Sequence, residues 1–404
     1  MERVYKYKGL VAFIVVAVII LCGYEPNALK IAYLTCAHSY HLLIGDYTAN
    51  EYSAHIKNLF SGDLSYHNEL VDLNSLLLRY SGTSYVVKDD ETVVKMKNGY
   101  LTYEVPYIAD EDILESADKI NSLYEFSRDH GAEFLYTMCP VKGYSGEFPA
   151  GIDNHIKTNC DRFADALINK GVPALVLQDE MEKEGITEEE AFFVTDHHWT
   201  PNTGFWALGK ICSTLNSLYG FEYNKDYTDI SNYSVETYKD WFLGSQGKKT
   251  GIRFSELGVD DIDLIMPKFE TSLTEEQPFK EESRTGEFID TALFLENLET
   301  KDYYHKNPYA TYSGGDFRLQ IFKNHLNNTG KKILVIRDSF ACAVTPFLAL
   351  EADTLYILDV REGDYYVGEK PSVYALIEEY SPDYVVVVYT NVARGSSLDF
   401  GYIG

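Results

Sequence analysis

Three apolar segments rich in β-branched residues constrain the fold of this chain more than any other feature. They are KKILVIRDSF at 331–340, TLYILDV at 354–360 and DYVVVVYT at 383–390, and a helical segment, PSVYALIEEYSP, precedes the last of them. Strands that are apolar on both faces are covered on both sides, and such strands occur in parallel sheets between layers of helices. The sequence therefore predicts an α/β fold, a three-layer α/β/α sandwich with a mainly parallel sheet.

The same alternation of helix and strand begins at Asp110, so we predict one domain over residues 110–404. Its first helix covers 110–131, and a strand follows at 133–140. Another helix is predicted to begin at the TP pair of residues 200 and 201, because threonine caps helices and proline suits the first helical position.

Two regions lie outside this alternation. Residues 220–330 are polar, acidic and rich in tyrosine, which predicts an irregular insertion at the functional edge of the sheet. Residues 25–109 are predicted to form a neck and a small accessory region, with a hairpin at the Asn98-Gly99 pair because that dipeptide favours tight turns between strands.

The N-terminus predicts membrane attachment. Arg3, Lys6 and Lys8 precede an uncharged run from Gly9 to Tyr24, and no A-x-A cleavage site follows. We predict a signal anchor over residues 1–24 in a single-pass bacterial membrane protein whose bulk lies outside the cytoplasm. A cleaved signal peptide is the alternative.

The charge of the chain excludes one class of partner. The formal net charge is −27 at pH 7, and no basic stripe offsets it. A nucleic acid would be repelled, so no nucleic-acid partner is predicted.

Polar residues that follow strands are candidate site residues, because sites in α/β sheets form beyond the carboxyl ends of the strands. Lys142, Asn391 and Ser339 have such positions. Ser339 follows a buried strand at a turn into a helix, where free N–H groups can stabilise an oxyanion, so it is the candidate nucleophile. The alternative is a serine that only caps the helix.

The stretch TDHHWTP at 195–201 carries the candidate acid and base. If the segment is extended, Asp196 and His198 point the same way and His197 points the opposite way. Asp196 can then orient His198 as a general base, as in a serine triad. The alternative is a histidine that is merely hydrogen-bonded in a loop.

A metal site is a further alternative for the same residues. Asp-His-His resembles the motif of manganese-binding DHH phosphoesterases, but those enzymes need aspartate-rich motifs upstream. The one dense acidic cluster here, 260–263, lies downstream, so no metal is predicted. The YSGGDF stretch at 312–317 lacks the lysine of a phosphate loop, and its glycines are expected to permit a tight turn near the site.

The DHHW motif, the later RDSF after an apolar strand and the N-terminal anchor together resemble the bacterial DHHW protein family. That family is similar to the SGNH-hydrolase-like proteins that include the alginate O-acetyltransferases. The resemblance covers roughly residues 80–400 and implies that Asp196 orients, His198 is the base and Ser339 is the nucleophile. Arg337 stands where relatives usually have glycine, and we expect it to narrow the site or to bind an anionic group.

Around these three residues we expect the groups that bind the substrate and the oxyanion. The backbone N–H of Ser339 is the first choice for the oxyanion, and the further candidates are Gly314, Gly315, Asn391, Arg337, Lys142, His197 and Trp199.

The functional hypothesis is a membrane-anchored, extracytoplasmic serine esterase or O-acyltransferase that acts on a cell-envelope glycan without a cofactor. The resemblance implies acetyl as the acyl group and a multispanning membrane acyltransferase as a partner. The alternative is a non-catalytic envelope or carbohydrate-binding protein. If the triad exists, the Ser339 hydroxyl and His198 should lie within ~3.5 Å of each other.

Overall fold

The structure is a computed structural model, and it describes His41 and residues 67–88, 91–361, 368 and 370–390. The predicted anchor and Asn391 lie outside these residues. Within them, no helix combines the length and the apolar character needed to cross a bilayer. Contacts divide the chain into Met1–Leu78 and a compact unit, Arg79–Gly404, which contains every strand discussed below.

The described strands follow one another in the order β1 Tyr85–Lys88, β2 Glu91–Lys95, β3 Leu101–Tyr103, β4 Glu133–Met138, β5 Ala174–Val176, β6 Tyr233–Phe242, β7 Asp260–Pro267, β8 Leu273–Gln277, β9 Glu282–Gly286, β10 Leu319–Asn324, β11 Lys332–Arg337, β12 Thr354–Asp359 and β13 Tyr384–Tyr389. The described α-helices are α1 His67–Tyr80, α2 Asp110–Asp129, α3 Ile156–Asn169, α4 Leu177–Glu184, α5 Glu188–Ala191, α6 Pro201–Tyr219, α7 Ser245–Thr250, α8 Phe288–Thr291, α9 Thr345–Leu348 and α10 Val373–Tyr380.

An eight-stranded sheet with the strand order β5-β4-β13-β11-β12-β10-β8-β9 forms the centre of the compact unit. The strands from β5 to β12 in that order are parallel, and β10, β8 and β9 are added antiparallel at one edge. In the central register Arg337 of β11 pairs with Asp359 of β12 and Val388 of β13. The carboxyl ends of three strands therefore meet where Ser339 follows β11.

Helices cover both faces of the sheet, as the uniformly apolar strands predict. In β11, Ile333 and Val335 pack in one buried cluster with α6, whereas Leu334 and Ile336 pack in a second one with α2, α3 and α10. Successive residues of a strand point to opposite faces, so a sheet covered on both sides needs apolar residues at every position. The predicted α/β sandwich with a mainly parallel sheet is confirmed.

The region predicted to be an irregular insertion is more regular than expected. β6 and β7 form an antiparallel two-stranded ribbon, while β8, β9 and β10 extend the main sheet. In β8 the buried side chains are Leu273, Glu275 and Gln277. Two of the three inward residues are polar, so the strand lacks the alternation of apolar and polar residues by which strands are predicted.

The Asn98-Gly99 pair joins β2 to β3, which pair antiparallel as predicted. Gly99 has φ +89°, a backbone conformation that glycine adopts without a steric penalty. This three-stranded sheet belongs to the same compact unit as the main sheet.

Candidate active site

Asp196, His198 and Ser339 form a continuous chain of hydrogen bonds. The Ser339 hydroxyl lies 2.7 Å from His198 Nε2, and Asp196 Oδ1 lies 2.5 Å from His198 Nδ1. The distance from Ser339 to His198 lies within the roughly 2.6–3.2 Å over which a catalytic base reaches its proton donor, and the bond from Asp196 is slightly shorter. The structure thus brings together the three residues that the sequence singled out, from segments 141 positions apart.

Ser339 is positioned by the end of β11. The strand ends at Arg337, and Asp338 caps the short 3-10 helix Ser339–Ala343 by accepting a hydrogen bond from Phe340 N–H at 2.9 Å. The other oxygen of Asp338 accepts bonds from the N–H and hydroxyl of Thr390, which follows β13. Asp338 therefore ties the turn that carries Ser339 to the neighbouring strand.

The segment that carries Asp196 and His198 is a series of bends and not the extended chain that the sequence analysis assumed. Asp196 Oδ1 also accepts from the backbone N–H of His198 at 3.0 Å, a local bond typical of aspartate in turns. His197 consequently does not point away. Its ring centroid lies 3.9 Å from that of His198, and its Nδ1 is 3.1 Å from the Ser245 hydroxyl.

The charge of Asp196 is stabilised although the residue is 3% exposed. Burial favours the neutral acid, but the nearby His198 and His197 and the hydrogen bonds from His198 outweigh it, so the pKa of Asp196 lies well below its usual range. An ionised Asp196 holds the proton of His198 on Nδ1 and leaves Nε2 free to accept the proton of Ser339.

Trp199 belongs to the hydrophobic core and does not line the cavity beside Ser339. It is fully buried, and its indole N–H donates to the Phe340 carbonyl at 3.0 Å. The Tyr309 hydroxyl donates to the same carbonyl at 3.1 Å, and the Tyr309 ring stacks on His198 at 4.3 Å between centroids. These contacts join the histidine segment directly to the residue after Ser339.

A glycine allows α7 to approach Asp196. The second carboxylate oxygen of Asp196 accepts from Ser245 N–H at 2.6 Å. A Cβ on Gly244 would lie 2.2 Å from the Asp196 Cβ, so no side chain fits there. Gly244 and Ser245 belong to the stretch FLGSQGKKT of the predicted insertion.

The Arg337 side chain is held in the interior by two neighbouring residues. It is fully buried, and its guanidinium donates to Asp316 at 3.0 Å and to the Gly315 carbonyl at 2.7 Å. Arg337 does not line the cavity beside Ser339.

Gly314 and Gly315 do not line the cavity beside Ser339. Both have positive φ, +71° and +93°, and they form the tight turn that presents the Gly315 carbonyl to Arg337. Lys142 borders the cavity but is 1% exposed, and its ammonium donates to carbonyls of residues 193, 194 and 196. The two glycines therefore lie outside the cavity, and the Lys142 ammonium is directed at these three carbonyls.

A cavity of about 250 Å³ opens beside Ser339. His197 and Thr390 contribute polar groups to its wall, and the apolar part of the wall consists of Tyr103, Val105, Val141, Ile156, Phe340 and Tyr389. Ser339 itself lines this cavity.

Asp196, His197 and His198 also lie close enough to one another to bind a metal ion. Their possible ligand atoms lie within 4.8 Å of one another, and no other such group occurs in the described part of the chain. In the structure these atoms are hydrogen-bonded to one another, to Ser245 and to Ser339.

Several residues of the site were not predicted from the sequence. Tyr309, Gly244, Ser245 and Asp260 all come from the region interpreted as an insertion, and none belongs to a recognisable motif. The one available indication was the pair of glycines in FLGSQGKKT, which marks a close approach of backbone to another segment.

No protein-family model matches the chain, and no curated protein matches it. Among solved structures, Bacillus cereus PatB1 with a sulfonyl adduct is 21% identical with a TM-score of 0.63, and the match covers 78% of this chain and all of PatB1. A DHHW family protein from Eubacterium siraeum is 17% identical with a TM-score of 0.54, covering 76% of this chain and 93% of that protein. The O-acetyltransferase domain of Pseudomonas putida AlgJ is more distant, at 15% identity and a TM-score of 0.44, covering 77% and 95%. At these identities the likeness concerns the fold, and the resemblance noted in the sequence is confirmed at that level: the chain has the fold of PatB1 and of the solved DHHW family protein.

Proposed function

We propose that the protein is a serine esterase or O-acyltransferase with Ser339, His198 and Asp196 as its catalytic triad. The observation that carries this proposal is the chain of two short hydrogen bonds through His198, at 2.7 and 2.5 Å. A histidine held between a carboxylate and a serine hydroxyl is the arrangement that activates serine for acyl transfer.

In the first half of the reaction, Ser339 Oγ attacks the carbonyl carbon of an ester while His198 Nε2 takes the hydroxyl proton. The carbonyl π electrons move to oxygen and form a tetrahedral oxyanion. When the intermediate collapses, the bond to the leaving alkoxide breaks and His198 donates the proton to it, which leaves Ser339 acylated.

In the second half, His198 takes a proton from water or from a sugar hydroxyl, and the resulting nucleophile attacks the acyl-serine. Collapse of that intermediate returns the proton to Ser339 Oγ. Water as acceptor gives an esterase, and a sugar as acceptor gives a transferase.

The backbone N–H of Ser339 is the proposed oxyanion donor. It begins the 3-10 helix and has no protein acceptor among the residues that the structure describes. The next N–H, of Phe340, already donates to Asp338. A preorganised donor of this kind contributes about 3 kcal/mol of transition-state stabilisation in serine hydrolases.

The substrate class in this proposal is an acetylated or acylated cell-envelope glycan, reached by a membrane-anchored, extracytoplasmic enzyme with a multispanning acyltransferase as partner. The resemblance of the DHHW and RDSF motifs to the acetyltransferase family supports it. PatB1, a protein of the same fold, was solved with a sulfonyl adduct, so we choose a sulfonylating reagent as the probe for this protein.

The experiment uses the full-length protein with p-nitrophenyl acetate and with phenylmethanesulfonyl fluoride. We expect Ser339→Ala to lower turnover by at least about 10³-fold, because a triad acts as a unit, and peptide mapping to find the sulfonyl group on Ser339. The matched control is Ser213→Ala, an exposed serine of α6 that should keep full activity.

Equal rates for the wild-type protein and Ser339→Ala would overturn the proposal and favour the non-catalytic alternative. A chelator provides the test of the metal alternative. Activity that is lost on chelation and restored by a transition metal would favour a metal site at Asp196, His197 and His198.

A further inference from the structure

Lys142 is a buried cation whose ammonium donates its hydrogen bonds to one stretch of backbone. The residue is 1% exposed. Its ammonium donates to the carbonyls of Phe193 at 2.9 Å and Val194 at 3.3 Å, and to the carbonyl of Asp196 itself. An ammonium has three hydrogens, so these three acceptors use its full capacity.

Asp260 binds the backbone N–H groups of the same stretch. It begins β7, is 6% exposed, and accepts from the N–H groups of Val194 at 2.5 Å and Thr195 at 2.8 Å. The Thr195 hydroxyl donates to it as well, at 2.5 Å. Residues 193–196 therefore lie between a cation that binds their carbonyls and an anion that binds their N–H groups.

Two buried charges are a costly way to hold a loop. Removing an ion from water costs several kcal/mol, which only good geometry and further hydrogen bonds offset. Charge-assisted hydrogen bonds are shorter and about twice as strong as neutral ones. What this arrangement provides over apolar packing is a main chain fixed at three carbonyls and two N–H groups, immediately before His198.

We propose that Lys142 and Asp260 are positioning residues, which fix the main chain at residues 193–196 so that the Asp196 carboxylate meets His198 Nδ1. The inference rests on the proposed triad and goes beyond it, because neither residue reaches the reacting atoms. Displacing a catalytic group by about 1 Å costs roughly 100-fold in rate, which sets the scale of the effect.

The charges of both residues depend on pH. Burial lowers the pKa of Lys142 to about 8, although the facing carboxylates of Asp260, Asp196 and Glu188 favour its charged form. Burial raises the pKa of Asp260 to about 6 against the hydrogen bonds from Thr195 and Val194. Both groups are therefore ionised between about pH 6 and 8, and kcat should fall on either side of that window.

The test compares wild type with Lys142→Met, which keeps an unbranched side chain one atom shorter and removes its charge. Lys331→Met is the matched control, since Lys331 also donates to a carbonyl, that of Glu222 at 2.7 Å, but does so in a bond exposed to solvent. We expect kcat of Lys142→Met to fall about 100-fold, while KM stays within about twofold because no substrate contact is lost. The alkaline limb near pH 8 should disappear, and the low-field NMR signal of the proton between His198 and Asp196 should shift or broaden.

A raised KM with unchanged kcat would overturn the inference and make Lys142 a substrate-binding residue. An alkaline limb that persists in Lys142→Met would overturn it as well. If that variant does not fold, Asp260→Asn takes its place, with the same fall in kcat at an unchanged KM as the expected result. If wild type has no turnover that depends on Ser339, the proposed function fails, and the low-field proton signal alone decides whether Lys142 positions Asp196.

Discussion

At the scale of single residues, Gly204 keeps the two halves of the candidate site in contact. It lies in the first turns of α6, directly after the DHHW segment. A Cβ at this position would lie 2.5 Å from the Cβ of Ala343 and 2.8 Å from its carbonyl oxygen. Ala343 ends the 3-10 helix that Ser339 begins, so the helix after His198 packs on the helix of the nucleophile without a side chain between them.

We expect Gly204→Ala to lower both the free energy of unfolding and kcat. Adding a methyl group to a filled core costs about 1–3 kcal/mol. The two helices would have to move apart, which would lengthen the distance between His198 and Ser339. The same helix provides a control in Gly209, whose Cβ would meet only the Thr228 Cβ, at 4.0 Å. Gly209→Ala should stabilise the protein by about 0.5–1 kcal/mol, because alanine favours the helix.

Urea unfolding and p-nitrophenyl acetate turnover measure both effects. If the two alanine variants had the same stability and activity, the close approach of α6 to the 3-10 helix would not matter for the site.

At the scale of elements, one carbonyl joins three segments. The Phe340 carbonyl in the 3-10 helix accepts from Trp199 in the DHHW segment and from Tyr309 in the helical turn Pro308–Thr311. If one of these donors is lost, the other still forms a hydrogen bond with the carbonyl. Losing both leaves a buried acceptor without a partner, which costs about 1–3 kcal/mol.

We therefore expect Tyr309→Phe and Trp199→Phe to be non-additive. Tyr309→Phe keeps the ring that stacks on His198 and should cost about 0.5–1.5 kcal/mol. The double variant should lose more stability than the sum of the two single losses. Trp199→Phe also leaves a cavity because phenylalanine is smaller than the indole, and the double-mutant cycle cancels that contribution. Urea unfolding of the four proteins gives the coupling energy, and a value near zero would mean that the two bonds act independently.

The elements also show what the sequence can predict. β4, β11 and β13 were predicted because their buried residues are apolar on both faces. β8 and β10 were not, because Glu275, Gln277 and Gln320 are buried on them and a polar inward face conceals the strand.

The same limit applies to the site. Asp196, His198 and Ser339 belong to short motifs with a known chemical use, so they were predicted from local sequence. Asp260 and Tyr309 act through contacts made by folding, with no motif around them. Arg337 was assigned to the cavity because the sequence does not tell on which side of the strand end its side chain lies.

At the scale of the whole molecule, acidic residues are in large excess, with 62 Asp and Glu against 35 Lys and Arg. Some of this charge is paired in the described part of the chain. At the carboxyl ends of β11 and β12, Asp316 contacts both Arg337 and Arg361 at 3.0 Å, and Arg361 in turn contacts Asp359 at 2.6 Å. The charges of two arginines and two carboxylates cancel there, beside the site.

Glu351 lacks such a balance. It is 3% exposed, one of its oxygens accepts from Asn224 N–H at 2.8 Å, and the other has no partner in the part of the chain that the structure describes. Burial raises the pKa of Glu351 from 4.5 to about 7, against the Asn224 bond and the charge of Lys331. Folding therefore favours its neutral form.

The sign of the pH dependence follows from that shift. Below pH 4.5 the residue is protonated in both states and its contribution to stability is complete. The contribution is lost as the pH rises to about 7, because the unfolded chain ionises first. Glu351→Gln stays neutral at every pH, so it should match wild type near pH 4 and be more stable above pH 7, by at most about 3 kcal/mol. Thermal unfolding from pH 4 to 8 measures this difference, with the exposed Glu299→Gln as the control that should show none. A constant difference across that range would mean that Glu351 ionises alike in the folded and unfolded chains, and the pH dependence of the fold would then have to come from other buried carboxylates.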